Sequence, residues 1–389
     1  MEIHMLLYLA LALMLALLSS KVMKLIRMPN VTGYLIVGLL AGPYCLNLIP
    51  KGTVEGLSVI TDVALGFIAF SIGSEFRISY LKKIGKAPVI IAILESVFAV
   101  LFVDAALIIG GFDTPFSLCL GAIAAATAPA ATLMVVKQYK ANGPVTQTLL
   151  PVVALDDATA LMCFGISVAI AKAIENGGGD SIVKTILSPA IEIAAALAIG
   201  AVFGVILKFL TVWFTGRGNR LALTYAFVFA CIGLGNMFGL SSLLECMALG
   251  AVFANTAKAS DIVFELTDRM TPPVFMLFFF LSGADLDISI IPQIGVIGIL
   301  YILFRVMGKM AGSYLGATFS HTETTVKKYL GFTLIPQAGV AIGLATTAMT
   351  VVPEYGPKIR TVILCGTVIY ELTGPVITKL ALKKAGEIA

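Results

Sequence analysis

The chain has 389 residues, 59% hydrophobic and 12% charged, with a formal net charge of +4 and a mean hydropathy of +1.01. A soluble domain carries about a quarter charged residues, so a soluble fold is excluded, and no nucleic-acid partner is expected. The apolar residues come in blocks of roughly 20, the length that crosses a ~30 Å hydrocarbon layer, so the expected fold is an all-α polytopic membrane protein.

Turn residues and charges divide the sequence into about thirteen spanning segments. They lie near 4–26, 31–48, 54–74, 86–110, 115–137, 146–173, 186–214, 219–238, 240–256, 262–285, 290–318, 326–350 and 359–382. The first follows Glu2, ends at Lys21, Lys24 and Arg27, and lacks an A-x-A cleavage pattern, so it reads as a retained helix rather than a signal peptide. Segment five contains Thr127, Ala128, Pro129 and Ala130 at mid-membrane. Proline there removes a backbone donor and clashes with the preceding turn, which predicts a broken helix. Segment six holds Asp156 and Asp157 in the middle of LLPVVALDDATALMCFGISVAIA. Segment eleven, GILYILFRVMGKMAGSYLGA (298–317), puts Arg305 and Lys309 one turn apart on one face. Segment twelve has Pro336, Gln337, Ala338 and Gly339, a second predicted break, and segment thirteen has Glu371 in VIYELTGPV.

Loops after odd-numbered segments, with the C-terminus, hold 19 of the 26 Lys and Arg residues, and the opposite side holds 5. The remaining two are Arg305 and Lys309, and the asymmetry predicts an N-terminus outside and a C-terminus in the cytoplasm. Three pairs of segments also match in the same order. GFIAFSIGSEFRIS (66–79) resembles MLFFFLSGADLDIS (276–289), GYLIVGLLAG (33–42) resembles LECMALGAVFAN (244–255), and the break at Pro129 corresponds to the break at Pro336. Partners seven segments apart have opposite orientations, the signature of an inverted-topology repeat.

A carboxylate at the bilayer centre costs several kcal/mol and normally faces a cavity or a partner. Two adjacent ones, Asp156 and Asp157, point about 100° apart around a helix and do not readily share one partner. Their oxygens suit a small hard cation, with Asp157 and Asp156 as its ligands. Protons compete for the same oxygens, and that competition is sufficient for exchange. Broken helices offer free carbonyls and half-helix ends to ions. Lys309 and Arg305 call for buried carboxylate partners, Asp156 being the candidate for Lys309 and Glu371 the candidate counter-charge to Arg305. Asp62, Glu95, Asp104, Glu192 and Glu245 are the other intramembrane acids, several of them near segment ends where solvation accounts for them. The six cysteines form no CxxC or Cys/His cluster, and His4 and His321 lie at segment edges, so neither a zinc site nor a cofactor is expected. No nucleophile–base arrangement suggests an enzyme. A cation channel and an organic-solute symporter of similar architecture are the competing functional classes.

The run TGYLIVGLLAGP (32–43), the broken TAPAAT (127–132), the LDDA pair, GKMAG (308–312) and PQAG (336–339) resemble bacterial monovalent cation:proton antiporters of the Kef/NapA branch. The resemblance covers nearly the whole chain. It implies an inner-membrane homodimer in lipid that exchanges Na⁺, Li⁺ or K⁺ for H⁺ by an elevator-like motion. It implies a core domain from segments near 54–173 and 262–382 and a dimerisation domain from segments near 4–48 and 186–256, without a soluble domain. Carried over by position, Asp157 is the essential cation- and proton-binding carboxylate and Asp156 pairs with Lys309. Thr127 and the backbone at Ala128 complete the cation shell. Paired aspartates with a lysine resemble the electrogenic members. Two departures stand out: Arg305 adds a base one turn from Lys309, leaving open which of them forms the ion pair, and no nucleotide-binding domain of the Kef type follows residue 389. The second directs the expectation to sodium, with potassium as the alternative.

Overall fold

The computed structural model describes residues 4–26, 28–79, 85–175, 182–287 and 294–388. Glu2, Arg27, Lys82 and Lys83 of the charge pattern, and the end of the 276–289 repeat unit, lie outside the described residues. In chain order the α-helices are α1 (Met5–Leu25), α2 (Asn30–Ala41), α3 (Lys51–Gly56), α4 (Ser58–Gly73), α5 (Ala87–Ile109), α6 (Thr114–Ile123), α7 (Pro129–Tyr139), α8 (Pro144–Glu175) and α9 (Ile182–Trp213). They continue as α10 (Arg217–Phe238), α11 (Ser242–Thr256), α12 (Ser260–Met270), α13 (Pro272–Asp285), α14 (Gly295–Phe319), α15 (Thr324–Thr333), α16 (Gly339–Val351) and α17 (Gly356–Lys384). Seven helices are long and apolar enough to cross a membrane, by length and composition, among the described residues: α1, α5, α8, α9, α10, α14 and α17. Shorter apolar helices, α2, α4, α6, α11, α13 and α16, accompany them.

Proline opens many of these helices. Pro88, Pro115, Pro129 and Pro357 sit in the first turns of α5, α6, α7 and α17, where the missing N–H would have no partner anyway. Gly239 ends α10 with φ +68°, a left-handed conformation that a side chain rarely adopts. The expected single span near 262–285 is instead two helices, α12 and α13, divided before Pro272 and Pro273. Both prolines lack the N–H needed to continue α12. With Asp261, Glu265, Asp268 and Arg269, α12 is also too charged to cross a bilayer.

The chain divides into two compact units, Met1–Lys83 with Ile191–Asp285, and Ile84–Ala190 with Leu286–Ala389. In the first unit α2 packs on α13, and α4 on α11. Thus α4 and α13, which the resemblance groups with the core, pack here with α2 and α11. Glycine permits each close approach. Gly38 lies against the Phe280 carbonyl and Gly283 against that of Leu35; Gly250 lies against Phe70 and Gly73 against Met247 in the same manner. Each residue of the first set has its counterpart in the second roughly 210 positions away, so the same contact is made twice, once by each repeat.

The second unit is built around α5 and α14, the most extensively packed pair of helices. Gly308, Gly312 and Gly316 line up along α14, and a Cβ on each would come within 2.6, 2.5 and 2.8 Å of α5 at Phe98, Glu95 and Ile91. Small residues at this spacing let two helix backbones approach directly. Around that pair, α6 packs on α8 and α15 on α17, while α7 meets α17 and α16 meets α8. That arrangement again repeats one half of the sequence on the other.

Candidate functional site

Two helices of the second unit are interrupted at the positions the prolines predict. α6 stops at Ile123 and α7 starts at Pro129; α15 stops at Thr333 and α16 starts at Gly339. The two breaks are tied to each other. The Ala128 N–H donates to the Pro336 carbonyl at 2.8 Å, and the Gln337 amide donates to the Ile123 carbonyl at 2.9 Å. Gln337 also accepts from the Tyr301 hydroxyl at 3.0 Å, and Thr132 Oγ1 reaches the carbonyls of Ala128 and Thr333, each at 3.4 Å. Irregular backbone at membrane depth is tolerated only with such internal partners.

Each interrupted helix aims a C-terminal end, with its unpaired carbonyls and partial negative charge, into the break. Arg305 answers both ends. Fully buried, it donates from Nε to Ala124 at 3.1 Å, from Nη1 to Ile335 at 2.7 Å and from Nη2 to Ala126 at 2.7 Å. Its guanidinium stacks on the Tyr370 ring at 4.5 Å. The counter-charge expected from Glu371 is therefore replaced by backbone carbonyls, which a planar five-donor group fits better than a single carboxylate.

Lys309, one turn further along α14 and also fully buried, gathers the acids. Its ammonium lies 2.6 Å from Glu95 Oε2 and 3.4 Å from Asp156 Oδ2. It also donates to Thr127 Oγ1 at 2.7 Å and to the Ala125 carbonyl. The structure thus divides the two bases: Lys309 pairs with carboxylates and Arg305 with the broken backbone. Asp156 is a partner of Lys309, but Glu95 is the nearer one. From the sequence, Glu95 stands among the intramembrane acids with no partner assigned to it. Its signal was present, since it stands well inside the uninterrupted apolar run APVIIAILESVFAVLFVDAALII. Ser96 Oγ donates to Glu95 Oε1 at 3.0 Å and lies 2.8 Å from Thr159 Oγ1, which bonds the Asp156 carbonyl at 3.0 Å, so α5 and α8 are joined beside the ion pair.

Asp157 is 6% exposed and its Oδ1 has no hydrogen-bond partner; Asp156 Oδ1 has none either. Among the described residues Asp157 makes no ion pair, although Asp156, Thr127, Ala128, Arg305, Lys309, Pro336 and Gln337 all meet at the crossing and Pro129 opens α7 beside it. The cluster holds three carboxylates against one ammonium, because the guanidinium is occupied by carbonyls. Asp157 is the one of the three without an ion pair among the described residues. No group of three or more His, Cys, Asp or Glu side chains able to hold a metal ion occurs among the described residues. The oxygens on offer are carboxylate, hydroxyl and carbonyl, ligands for a hard cation.

Residues 2–384 match the family described as "Sodium/hydrogen exchanger, transmembrane". The chain is similar to a Na(+)/H(+) antiporter of Enterococcus hirae, 24% identical over 340 residues that cover 84% of each protein. It is also similar to the high-affinity Na(+)/H(+) antiporter NhaS3 of Synechocystis, 22% identical over 373 residues covering 84% of this chain and 79% of that protein. Its fold matches that of the sodium proton antiporter MjNhaP1 from Methanocaldococcus jannaschii, with a TM-score of 0.72 and 19% identity over 98% of this chain and 96% of the other. The chain belongs to the sodium/hydrogen exchanger family of transmembrane proteins.

Proposed function

We propose that the chain exchanges Na⁺ (or Li⁺) for H⁺ by secondary-active antiport, with Asp157 as the carboxylate for which the two ions compete. The observation that carries this reading is the unequal fate of two adjacent buried aspartates. Asp156 is ion-paired with Lys309, whereas Asp157, buried beside the doubly broken crossing, makes no ion pair among the described residues. Thr127 and the carbonyls of the break lie in the same cluster and would complete a cation's oxygen shell when Asp157 is ionised. When Asp157 is protonated, that shell loses its charge and the cation leaves.

All of these residues belong to the second unit, which we take as the core that carries the ion, in an elevator-like alternating-access cycle. The first unit is then the dimerisation half of a symmetric homodimer. The Lys and Arg asymmetry supports an inner-membrane protein with its N-terminus outside and its C-terminus in the cytoplasm. The test is exchange in proteoliposomes driven by an imposed pH gradient. Wild type should move Na⁺ against H⁺, and Asp157→Ala should abolish the exchange. Undiminished transport by Asp157→Ala refutes the site.

A further inference from the structure

Glu371 remains unexplained once Arg305 is satisfied by carbonyls. It lies on α17 at 4% exposure and makes no ion pair or hydrogen bond among the described residues. Two more buried polar groups share its helix face, Thr367 one turn before it and Thr378 two turns after it, at 2% and 0% exposure. Both hydroxyl oxygens are buried without a hydrogen-bond partner. Between them Gly374 packs on Pro336, so this face of α17 looks onto the break between α15 and α16.

The repeat gives the position meaning. α17 stands to α15 as α8 stands to α6. The breaks at Pro129 and Pro336 are 207 residues apart and Asp157 and Glu371 are 214 apart, so Glu371 falls in the second repeat close to the place of Asp157 in the first. A buried carboxyl without a counter-charge is stable only with a proton, or with a cation and water in place of the missing partner. The spacing decides between these. Thr367 and Thr378 lie about 6 and 10.5 Å along the helix axis from Glu371, too far to close around one ion whose oxygen ligands stand at about 2.4 Å. A line of unpartnered buried oxygens is instead what ordered water occupies.

We infer that Glu371 is a second proton-binding carboxyl of the core, reached by water along Thr367 and Thr378 and loaded independently of Asp157. Its part in coupling rests on the antiport reading; its proton binding does not. The charged groups on the helices packed against α17 are Arg305 and Lys309 of α14, Lys327 and Lys328 of α15, and Lys137 of α7; α6 and α16 bring none. None of them pairs with Glu371, and on α17 itself the nearest titratable neighbour, Tyr370, donates to the Ile302 carbonyl.

Purified full-length protein in detergent, taken through an alkaline jump without Na⁺, should release roughly one proton fewer per chain in Glu371→Gln than in wild type. Glu371→Asp should restore the count. In infrared difference spectra, the protonated-carboxyl stretch lost in Glu371→Gln should persist in Asp157→Asn and shift promptly on transfer to D₂O. An unchanged proton count in Glu371→Gln, or a stretch that ignores D₂O, overturns the inference. If liposomes show no Na⁺/H⁺ exchange while the count and the stretch behave as stated, the antiport reading fails and the proton site stands.

Discussion

Lys309 is surrounded by more negative charge than it can neutralise, with Glu95 Oε2 at 2.6 Å and Asp156 Oδ2 at 3.4 Å, all three side chains being fully buried. Removing one partner of a buried ion pair typically costs about 3–5 kcal/mol, because the survivor keeps its burial and loses its partner. Lys309→Met should therefore lower the stability of the purified protein by about 3 kcal/mol or more, read from thermal unfolding in detergent. Adding Glu95→Gln should recover much of that loss, since the closest orphaned charge goes with it. A double variant as unstable as the single one would show that the ammonium stabilises through Thr127 and the Ala125 carbonyl instead. Asp156, Asp157 and Lys309 were legible in the sequence because a charge in an apolar run stands out. The Glu95 pairing was not, because it depends on which face of α5 meets α14. The glycines that bring those helices together, Gly308, Gly312 and Gly316, were present in the sequence and define that face in retrospect.

At the scale of elements, the aspartate pair is positioned by α8, and the start of α8 is held from the far end of the chain. The Glu387 carboxylate accepts from the Val145 N–H at 2.6 Å, the Thr146 N–H at 2.8 Å and the Thr146 hydroxyl at 2.6 Å. A carboxylate there satisfies N–H groups that no helical carbonyl can reach and complements the positive end of the helix dipole. Glu387→Ala should cost about 1–2 kcal/mol, the range for loss of an N-terminal cap. Glu387→Gln, which keeps one carbonyl acceptor, should cost less, and comparing the melting temperatures of the two variants separates the cap from the general effect of changing the terminus. Equal melting of all three proteins would show that the contact contributes nothing. This contact joins residues 242 apart in sequence, and nothing local to Glu387 announces it. The two breaks were legible for the opposite reason, since Pro129 and Pro336 act on their own backbone. The division of α12 from α13 could also have been read, because Pro272 and Pro273 interrupt the run in the same way.

Over the whole molecule, the repeat was legible only as three weak matches. Its content became physical once Gly38 on Phe280 and Gly250 on Phe70 proved to be one contact made twice. The same symmetry bears on the electrical character of transport. On the helix after its break, each repeat places a buried carboxyl that makes no ion pair among the described residues, Asp157 on α8 and Glu371 on α17. Of the two, Asp157 adjoins the cluster that holds Asp156, Thr127 and the α6–α7 break, whereas the hydroxyls on the Glu371 face are spaced too widely to close around one ion. On the proposed reading, two carboxyls exchanging protons against a single cation site would make each turnover carry net charge, so a membrane potential would build up and oppose further turnovers. In liposomes driven by a pH gradient, K⁺ with valinomycin on both sides dissipates that potential. Initial Na⁺ flux by the wild type should then rise several-fold on shunting, and the rise should shrink in Glu371→Gln if that carboxyl carries the extra proton. A flux indifferent to the shunt in the wild type would mean that one proton returns for each cation, leaving Asp157 to account for the whole exchange.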